Sequence, residues 1–196
     1  GTTYSHSGTD AADFSINSSS GVLTFASTTN YESPADDGTN NEYIVIVTVT
    51  DSGGNTDTQT ITVTVTDVNE FTPVITSNSG GSTASISFAE NNTAAVTTVT
   101  STDGDGTSTA SYSISGGADA SLFDINASSG ALTFKSAPDF ETKIDSNTDN
   151  DYIVIVQVSD GSNTDNQTLT VSVTNVDDID PVITSNSGGS TASINF

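Results

Sequence analysis

Residues Pro73–Gly81 return as Pro181–Gly189, 108 residues further on, and the match continues through Ser82–Phe88 against Ser190–Phe196 with one change, Ser87 for Asn195. Phe14-Ser15-Ile16-Asn17 recurs as Phe123-Asp124-Ile125-Asn126, and Tyr43–Val47 recurs as Tyr152–Val156, each 109 residues later. A period of this length makes each copy one small domain with its own core, so the repeat settles the organisation before any residue does. The expected division is 1–72, a repeat without its first strands; 73–180, a complete repeat; and 181–196, the first strand of a third. The chain thus reads as a window on a longer array. Its last stretch is an orphan first strand that could complete the sandwich of a neighbouring chain.

Within each repeat the pattern has period two. Ile61, Val63 and Val65 alternate with Thr60, Thr62, Thr64 and Thr66, which gives one apolar and one hydroxylated face. Ala12–Ile16, Gly21–Phe25 and Tyr43–Thr50 complete the strands of the first repeat. The second runs through Ile86–Phe88, Ala95–Thr100, Tyr112–Ile114, Phe123–Ile125, Ala131–Phe134, Tyr152–Val158 and Leu169–Val173. Seven short strands separated by Gly-, Asn- and Asp-rich turns predict an all-β fold, tandem seven-stranded antiparallel Greek-key β-sandwiches of immunoglobulin-like architecture. No segment reads as a helix.

Charge narrows the function. The chain carries 25 Asp and Glu against two basic residues, Lys135 and Lys143, for a formal net charge of −23. Such a surface repels nucleic acid and anionic lipid, because holding phosphates requires Lys and Arg. It attracts divalent cations. The acids are spaced between β patterns rather than run together in a tail, which argues for ligands and solvated faces over disorder. With no Cys, disulfides, zinc-thiolate sites and Cys catalysis are absent. His6 is the sole histidine, and nothing near it marks a nucleophile or an oxyanion loop. It is expected to be a strand or turn residue, and the chain is expected not to be an enzyme. Asp103-Gly104-Asp105-Gly106 begins like an EF-hand loop but lacks the downstream Glu. The sequons at Asn17, Asn91, Asn126 and Asn166 are what a Ser/Thr-rich chain produces by chance.

Several short motifs fall in a fixed order: Ala89-Glu90-Asn91, Asp103-Gly104-Asp105, Asp139-Phe140-Glu141, Val158-Ser159-Asp160 and the linker Asp67-Val68-Asn69-Glu70. In this order they resemble cadherin repeats, and more closely the cadherin-like tandem repeats of large bacterial surface adhesins. The resemblance implies Ca²⁺ held jointly by the end of one domain, the linker and the start of the next. Carried over residue by residue, the first joint would use Glu32, Asp67, Asn69, Glu70, Asp103, Asp105 and Asp160, with the Val68 carbonyl. Asn30 stands there in place of the acid found at Asp139. The second joint would use Glu90, Asp139, Glu141, Asn175, Asp177 and Asp178. Its linker has Asn175 where the first has Asp67, so the first joint should fill before the second.

Calcium chemistry agrees, since this hard cation takes six to eight oxygens from carboxylates, amides and carbonyls. Six carboxylates gathered at the first joint would repel one another by up to about 4 kcal/mol per close pair without a cation. The resemblance implies a calcium-stiffened extender, a stalk in an extracellular adhesin or filament at the cell surface. Its partners would be neighbouring repeats or subunits. The alternative is a calcium-dependent module that binds polysaccharide, another cell-surface ligand or a second copy of itself. A glycosidase built on paired carboxylates ranks below both, because the acids are already accounted for at the joints.

Overall fold

A computed structural model describes residues 1–106, 109–185, 190–191 and 193. The strands are β1 (Thr3–Ser7), β2 (Phe14–Ile16), β3 (Leu23–Phe25), β4 (Glu42–Thr50), β5 (Thr56–Thr64), β6 (Val74–Ile75) and β7 (Thr83–Ala89). They continue with β8 (Thr97–Thr98), β9 (Ser101–Thr102), β10 (Ser111–Gly116), β11 (Phe123–Ile125), β12 (Ala131–Phe134), β13 (Asp151–Ser159) and β14 (Thr164–Thr174). Three short 3-10 segments punctuate the strands, Ala11–Asp13, Asn78–Gly80 and Ala120–Leu122. None is long or apolar enough to cross a membrane.

The chain forms two compact units. The first comprises residues 1–74 together with 102–110 and 160–164; the second comprises 75–101, 111–159 and 165–196. Compactness and sequence repeat therefore divide the chain differently, and the difference lies in the two acidic loops.

In the second unit β10-β13-β14-β7 form one sheet and β11-β12-β8 the other, seven strands in two layers. Side chains on β13 alternate, with Tyr152, Val154, Val156 and Val158 fully buried. Leu169, Val171 and Val173 of β14 and Leu132 of β12 fill the same core. Phe123 and Phe134 lie 4.3 Å apart with their rings tilted by 33°, and Phe134 meets Tyr152 edge-on at 5.1 Å, the latter a geometry that aromatic quadrupoles favour. Gly130 (φ 71°) closes the β11–β12 turn where Asn126 Oδ1 accepts the N–H groups of Ser128 and Ser129. A Cβ there would sit 2.1 Å from the Val99 carbonyl, so only glycine fits.

In the first unit β1-β4-β5 form a three-stranded sheet and β2-β3 a ribbon. Phe14, Tyr43 and Val45 make its core, with Leu23, Phe25, Ile61, Val63 and Val65 packed against it. Phe14 and Phe25 stack at 4.7 Å, repeating the aromatic arrangement of the second unit.

The all-β sandwich class is as expected, and four details differ. The β7–β14 ladder is parallel, from Thr83 opposite Thr168 to Ala89 opposite Thr174. Hydrophobic alternation has the same period in either direction, so it reports a strand's faces and not its polarity. The stretch Ala95–Thr100 is not one strand: only Thr97–Thr98 within it pair as β8, β9 follows at Ser101–Thr102, and Val99 is buried between the two. Residues Ala11–Asp13 and Ala120–Leu122 turn before the strand begins. The first-repeat strand β1 was not among those expected, because polar Ser and Thr interrupt its apolar positions. The expected third-repeat strand over 181–196 falls largely on residues outside those described.

Candidate metal centre

Three loops and a linker bring acids together within the first unit. Ligand oxygens of Glu32, Asp67 and Asp105 lie within 4.8 Å of one another, and so do those of Asp103, Asp105 and Asp160. Asp105 belongs to both groups and is only 4% exposed.

Local hydrogen bonds fix each contributor. Asn30 Oδ1 accepts the N–H groups of Glu32 (2.8 Å) and Ser33 (3.1 Å), an Asx turn that delivers Glu32. Asp105 accepts from the backbone N–H groups of Glu70 (3.3 Å) and Phe71 (3.2 Å), tying the acidic loop to the linker. Asp103 Oδ1 accepts Asp105 N–H at 3.2 Å. Gly104 lies flat against the Phe71 ring, where a Cβ would approach the ring to 2.5 Å. Asp160 Oδ1 accepts Ser162 and Asn163 N–H groups at 2.6 Å each, and the Asn163 amide donates to the Phe71 carbonyl at 2.9 Å.

Electrostatics separate two kinds of acid here. Asp160 is held below the usual carboxylate range, chiefly by the backbone N–H of Asn163. Glu70 is pushed up, first by loss of hydration and then by the charges of Glu32, Asp105 and Asp67. Asn69 points its amide at two of these carboxylates, 3.2 Å from Asp105 Oδ2 and 3.1 Å from Asp160 Oδ2. With its NH₂ toward them it donates two hydrogen bonds. With its oxygen toward them it adds a neutral ligand of the kind a cation uses. Val68 is exposed, so only its backbone can contribute.

The donor set fits a hard divalent cation. Both carboxylate oxygens of Glu32, and Oδ2 of Asp103, are shielded from solvent yet accept no hydrogen bond among the described residues. Buried charged oxygens without donors are costly, and converging ones repel by about 3.5 kcal/mol per pair at 4.8 Å and an effective dielectric of 20. A cation among them removes both costs. All the candidate ligands are oxygen, which suits Ca²⁺ rather than softer metals.

A second group sits in the second unit, where Glu90, Asp139 and Glu141 converge within 4.8 Å. Glu141 is pushed up by loss of hydration, then by Glu90, Asp178 and Asp139. Asp139 Oδ1 caps Glu141 and Thr142, as Asn30 does in the first unit. Asp178 Oδ2 accepts the Asn91 amide at 2.6 Å. Asn175 and Asp177 are solvent-exposed and lie outside the converging triad.

Three sets of residues escape a reading of the sequence. Asp10 Oδ1 and Oδ2 accept Asp37 and Ile44 N–H groups, and Asp119 repeats this with Ser146 and Ile153. Asp36 and Asp145 cap the loops before β4 and β13, each accepting two N–H groups. These four acids are buried and serve the scaffold. Asn163, which holds the linker carbonyl, reads in sequence as an ordinary turn residue. His6 lies on β1, and its Nε2–H faces the carbonyls of Ala11 and Phe14 at 3.0 and 3.1 Å, a structural role.

The second unit is a seven-stranded β-sandwich with a parallel edge ladder. Residues 84–174 match the cadherin domain family. Among solved structures, the chain is similar to protocadherin gammaB7 repeats EC3-6, a cis-dimer structure, with 27% identity, a TM-score of 0.62, and coverage of 90% of this chain and 41% of that one. It is similar to Drosophila N-cadherin EC1-4 at 25% identity and TM-score 0.65, covering 89% and 41%. Human protocadherin-24 EC1-2 shares the fold at 23% identity and TM-score 0.62, covering 89% and 82%. The chain spans about two fifths of the length of the first two. No curated protein matches the sequence.

Proposed function

We propose that this chain is a pair of cadherin-like repeats whose linker is rigidified by Ca²⁺, serving as an extender in an extracellular adhesin or filament of a bacterial cell surface. The repeats would be 1–72 and 73–180, with 181–196 opening a third. The observation that carries this reading is the cluster Glu32, Asp67, Asp103, Asp105 and Asp160, whose solvent-shielded oxygens on Glu32 and Asp103 find no hydrogen-bond donor. Five carboxylates from four separate stretches of chain gain nothing from meeting unless a cation joins them.

When bound, Ca²⁺ would supply the positive charge that turns this repulsion into ligation. Glu32, Asp67, Asp103, Asp105 and Asp160 would hold it, with Asn69 and Glu70 completing the shell. Asn30 and Asn163 position the ligands, and the Asp105 contacts to Glu70 and Phe71 N–H groups fix the linker backbone. The triad Glu90, Asp139 and Glu141 would begin a second site of the same kind. The near-identity of residues 73–88 and 181–196 supports a spacer built by duplication.

The test is small-angle scattering and thermal melting in millimolar Ca²⁺ and then in EDTA. Extracellular modules bind calcium with Kd of about 10⁻⁴–10⁻³ M. Chelation is expected to lower Tm and broaden the distribution of maximum dimensions. Profiles that do not respond to chelation would end the proposal.

A further inference from the structure

We infer that Asn41 and Asn150 are positioning residues for the two metal groups: each ties the segment that carries Glu32 or Glu141 to the strand that runs into the linker. The inference deepens the calcium reading and rests on it. Glu32 lies in a stretch without a strand, since β3 ends at Phe25 and β4 begins at Glu42. The Asx turn of Asn30 acts within that stretch, whereas Asn41 attaches it to the sheet. Asn41 Nδ2 donates to the Tyr31 carbonyl at 2.9 Å, and the Asn41 carbonyl accepts the Val65 N–H at 2.9 Å. Tyr31 adjoins Glu32 and Val65 precedes Asp67 by two residues, and both of those carboxylates belong to the group around Asp105. A shift of Asn41 therefore moves two ligands.

The second unit repeats the connection. Glu141 follows β12, which ends at Phe134, and precedes β13, which begins at Asp151. Asn150 Nδ2 donates to the Phe140 carbonyl at 3.0 Å, and the Asn150 carbonyl accepts the Val173 N–H at 2.9 Å. Phe140 stands between Asp139 and Glu141, and its N–H donates to Glu90 at 2.7 Å. All three acids of that group thus bear on one peptide segment, whose carbonyl Asn150 holds.

Backbone conformation alone does not call for asparagine at these positions. Asn41 and Asn150 have φ of 65° and 70°, a region open to glycine, and the same two loops accept Thr39 and Thr148 at 49° and 61°. Both asparagines are buried, at 9% and 3% exposed, and each Oδ1 is shielded without a hydrogen-bond partner among the described residues. Leaving a buried amide oxygen unpaired is costly, so glycine would be the cheaper residue if only the turn mattered. What glycine lacks is the Nδ2–H that holds Tyr31 or Phe140. Groups that orient a metal ligand commonly govern affinity by about 10–100-fold.

The experiment is a Ca²⁺ titration of the whole chain followed by heteronuclear NMR at the Glu32 and Glu141 amides, which reads the two groups separately. Asn41→Gly keeps the backbone conformation and removes the amide, so it should raise Kd at Glu32 about tenfold or more and leave the Glu141 response unchanged. Asn150→Gly should do the reverse. Val45→Ala, in the core of the first unit, should lower Tm with Kd unchanged, which separates positioning from general loss of stability. In a Glu32→Gln background Asn41→Gly should weaken binding less than it does in the parent, because part of its effect runs through Glu32. An Asn41→Gly chain that binds calcium as the parent does overturns the inference. So does a loss of equal size with and without Glu32, or one that Val45→Ala matches. A parent chain in which neither amide responds to calcium overturns the calcium reading itself, and the inference with it.

Discussion

Asp105→Asn should change the stability of the first unit with opposite sign in the presence and absence of calcium. Asp105 shares one group with Glu32 and Asp67 and another with Asp103 and Asp160, all with ligand atoms within 4.8 Å. Coulomb's law gives about 0.9 kcal/mol per pair at that separation in bulk water and about 3.5 at an effective dielectric of 20. The acids are partly solvated, so the lower figure is the safer base, and four pairs release about 3.5 kcal/mol when the charge is removed. Against this, the amide keeps only one acceptor oxygen for the Glu70 and Phe71 N–H groups, and losing one such bond costs about 1–3 kcal/mol. In EDTA the variant should therefore be more stable than the parent by about 1–2 kcal/mol, a rise in Tm of roughly 4–16 °C for a unit of this size.

In calcium the order reverses. At 10 mM Ca²⁺ and a Kd of 10⁻⁴–10⁻³ M, each bound ion stabilises the parent by about 1.4–2.7 kcal/mol. Replacing the ligand common to both groups should weaken binding at least tenfold, which removes about 1.4 kcal/mol for each ion affected. Differential scanning calorimetry on parent and variant, in EDTA and across a calcium series, reads both limits. The Tm curves should cross. If Asp105→Asn lowers Tm by the same amount in EDTA as in calcium, the acids are turn residues and the metal assignment fails.

Other perturbations separate scaffold from site. Asp119→Ala leaves the Ser146 and Ile153 N–H groups buried without an acceptor, and should cost the second unit about 3–5 kcal/mol in urea unfolding whether or not calcium is present. Asp145 is lowered from 3.8: burial pushes it up, and the N–H groups of Asp149 and Asn150 outweigh that. Because its folded value lies below its unfolded one, its contribution is intact above about pH 4 and lost as pH falls through the folded value. The acid limb of stability in EDTA should accordingly flatten in Asp145→Asn. Gly104→Val must push the Phe71 ring away, so calcium affinity should fall about tenfold, and adding Phe71→Ala should restore part of it in calorimetric titration.

The loop before each central strand shows what was legible in the sequence and what was not. β13 announces itself as a long β-branched run, in which Tyr152, Val154, Val156 and Val158 face the core and alternate with the partly buried Ile153, Ile155 and Gln157. The preceding loops, Ser33–Asn41 and Thr142–Asn150, look like solvated turns and differ at most positions. They agree at Asp36 and Asp145, at Thr39 and Thr148, and at Asn41 and Asn150. Those are the positions with a structural demand: a buried carboxylate that caps the loop, and two residues at positive φ, 49° and 65° in the first unit, 61° and 70° in the second. The signal was present as selective retention between repeats. Composition hid it, because an Asp that accepts buried N–H groups and an Asp that faces water are the same letter.

That ambiguity is also what distinguishes the two acidic groups. A carboxylate surrounded by backbone donors is satisfied without a metal, and one surrounded by other carboxylates is not. Glu90 is of the first kind: it is 3% exposed, and its two oxygens accept Phe140 N–H at 2.7 Å and Val176 N–H at 2.6 Å. Glu32 is of the second kind, with both oxygens shielded and without a donor among the described residues. The group around Glu90 thus already has one arm neutralised by hydrogen bonds, and its neighbours Asp139 and Glu141 are exposed. The group around Asp105 is shielded and short of donors, so it gains more from a cation and should fill first in a calcium titration. The difference between Asp67 and Asn175 in the two linkers points the same way, but the donor count is the stronger reason, since it concerns oxygens already held in place.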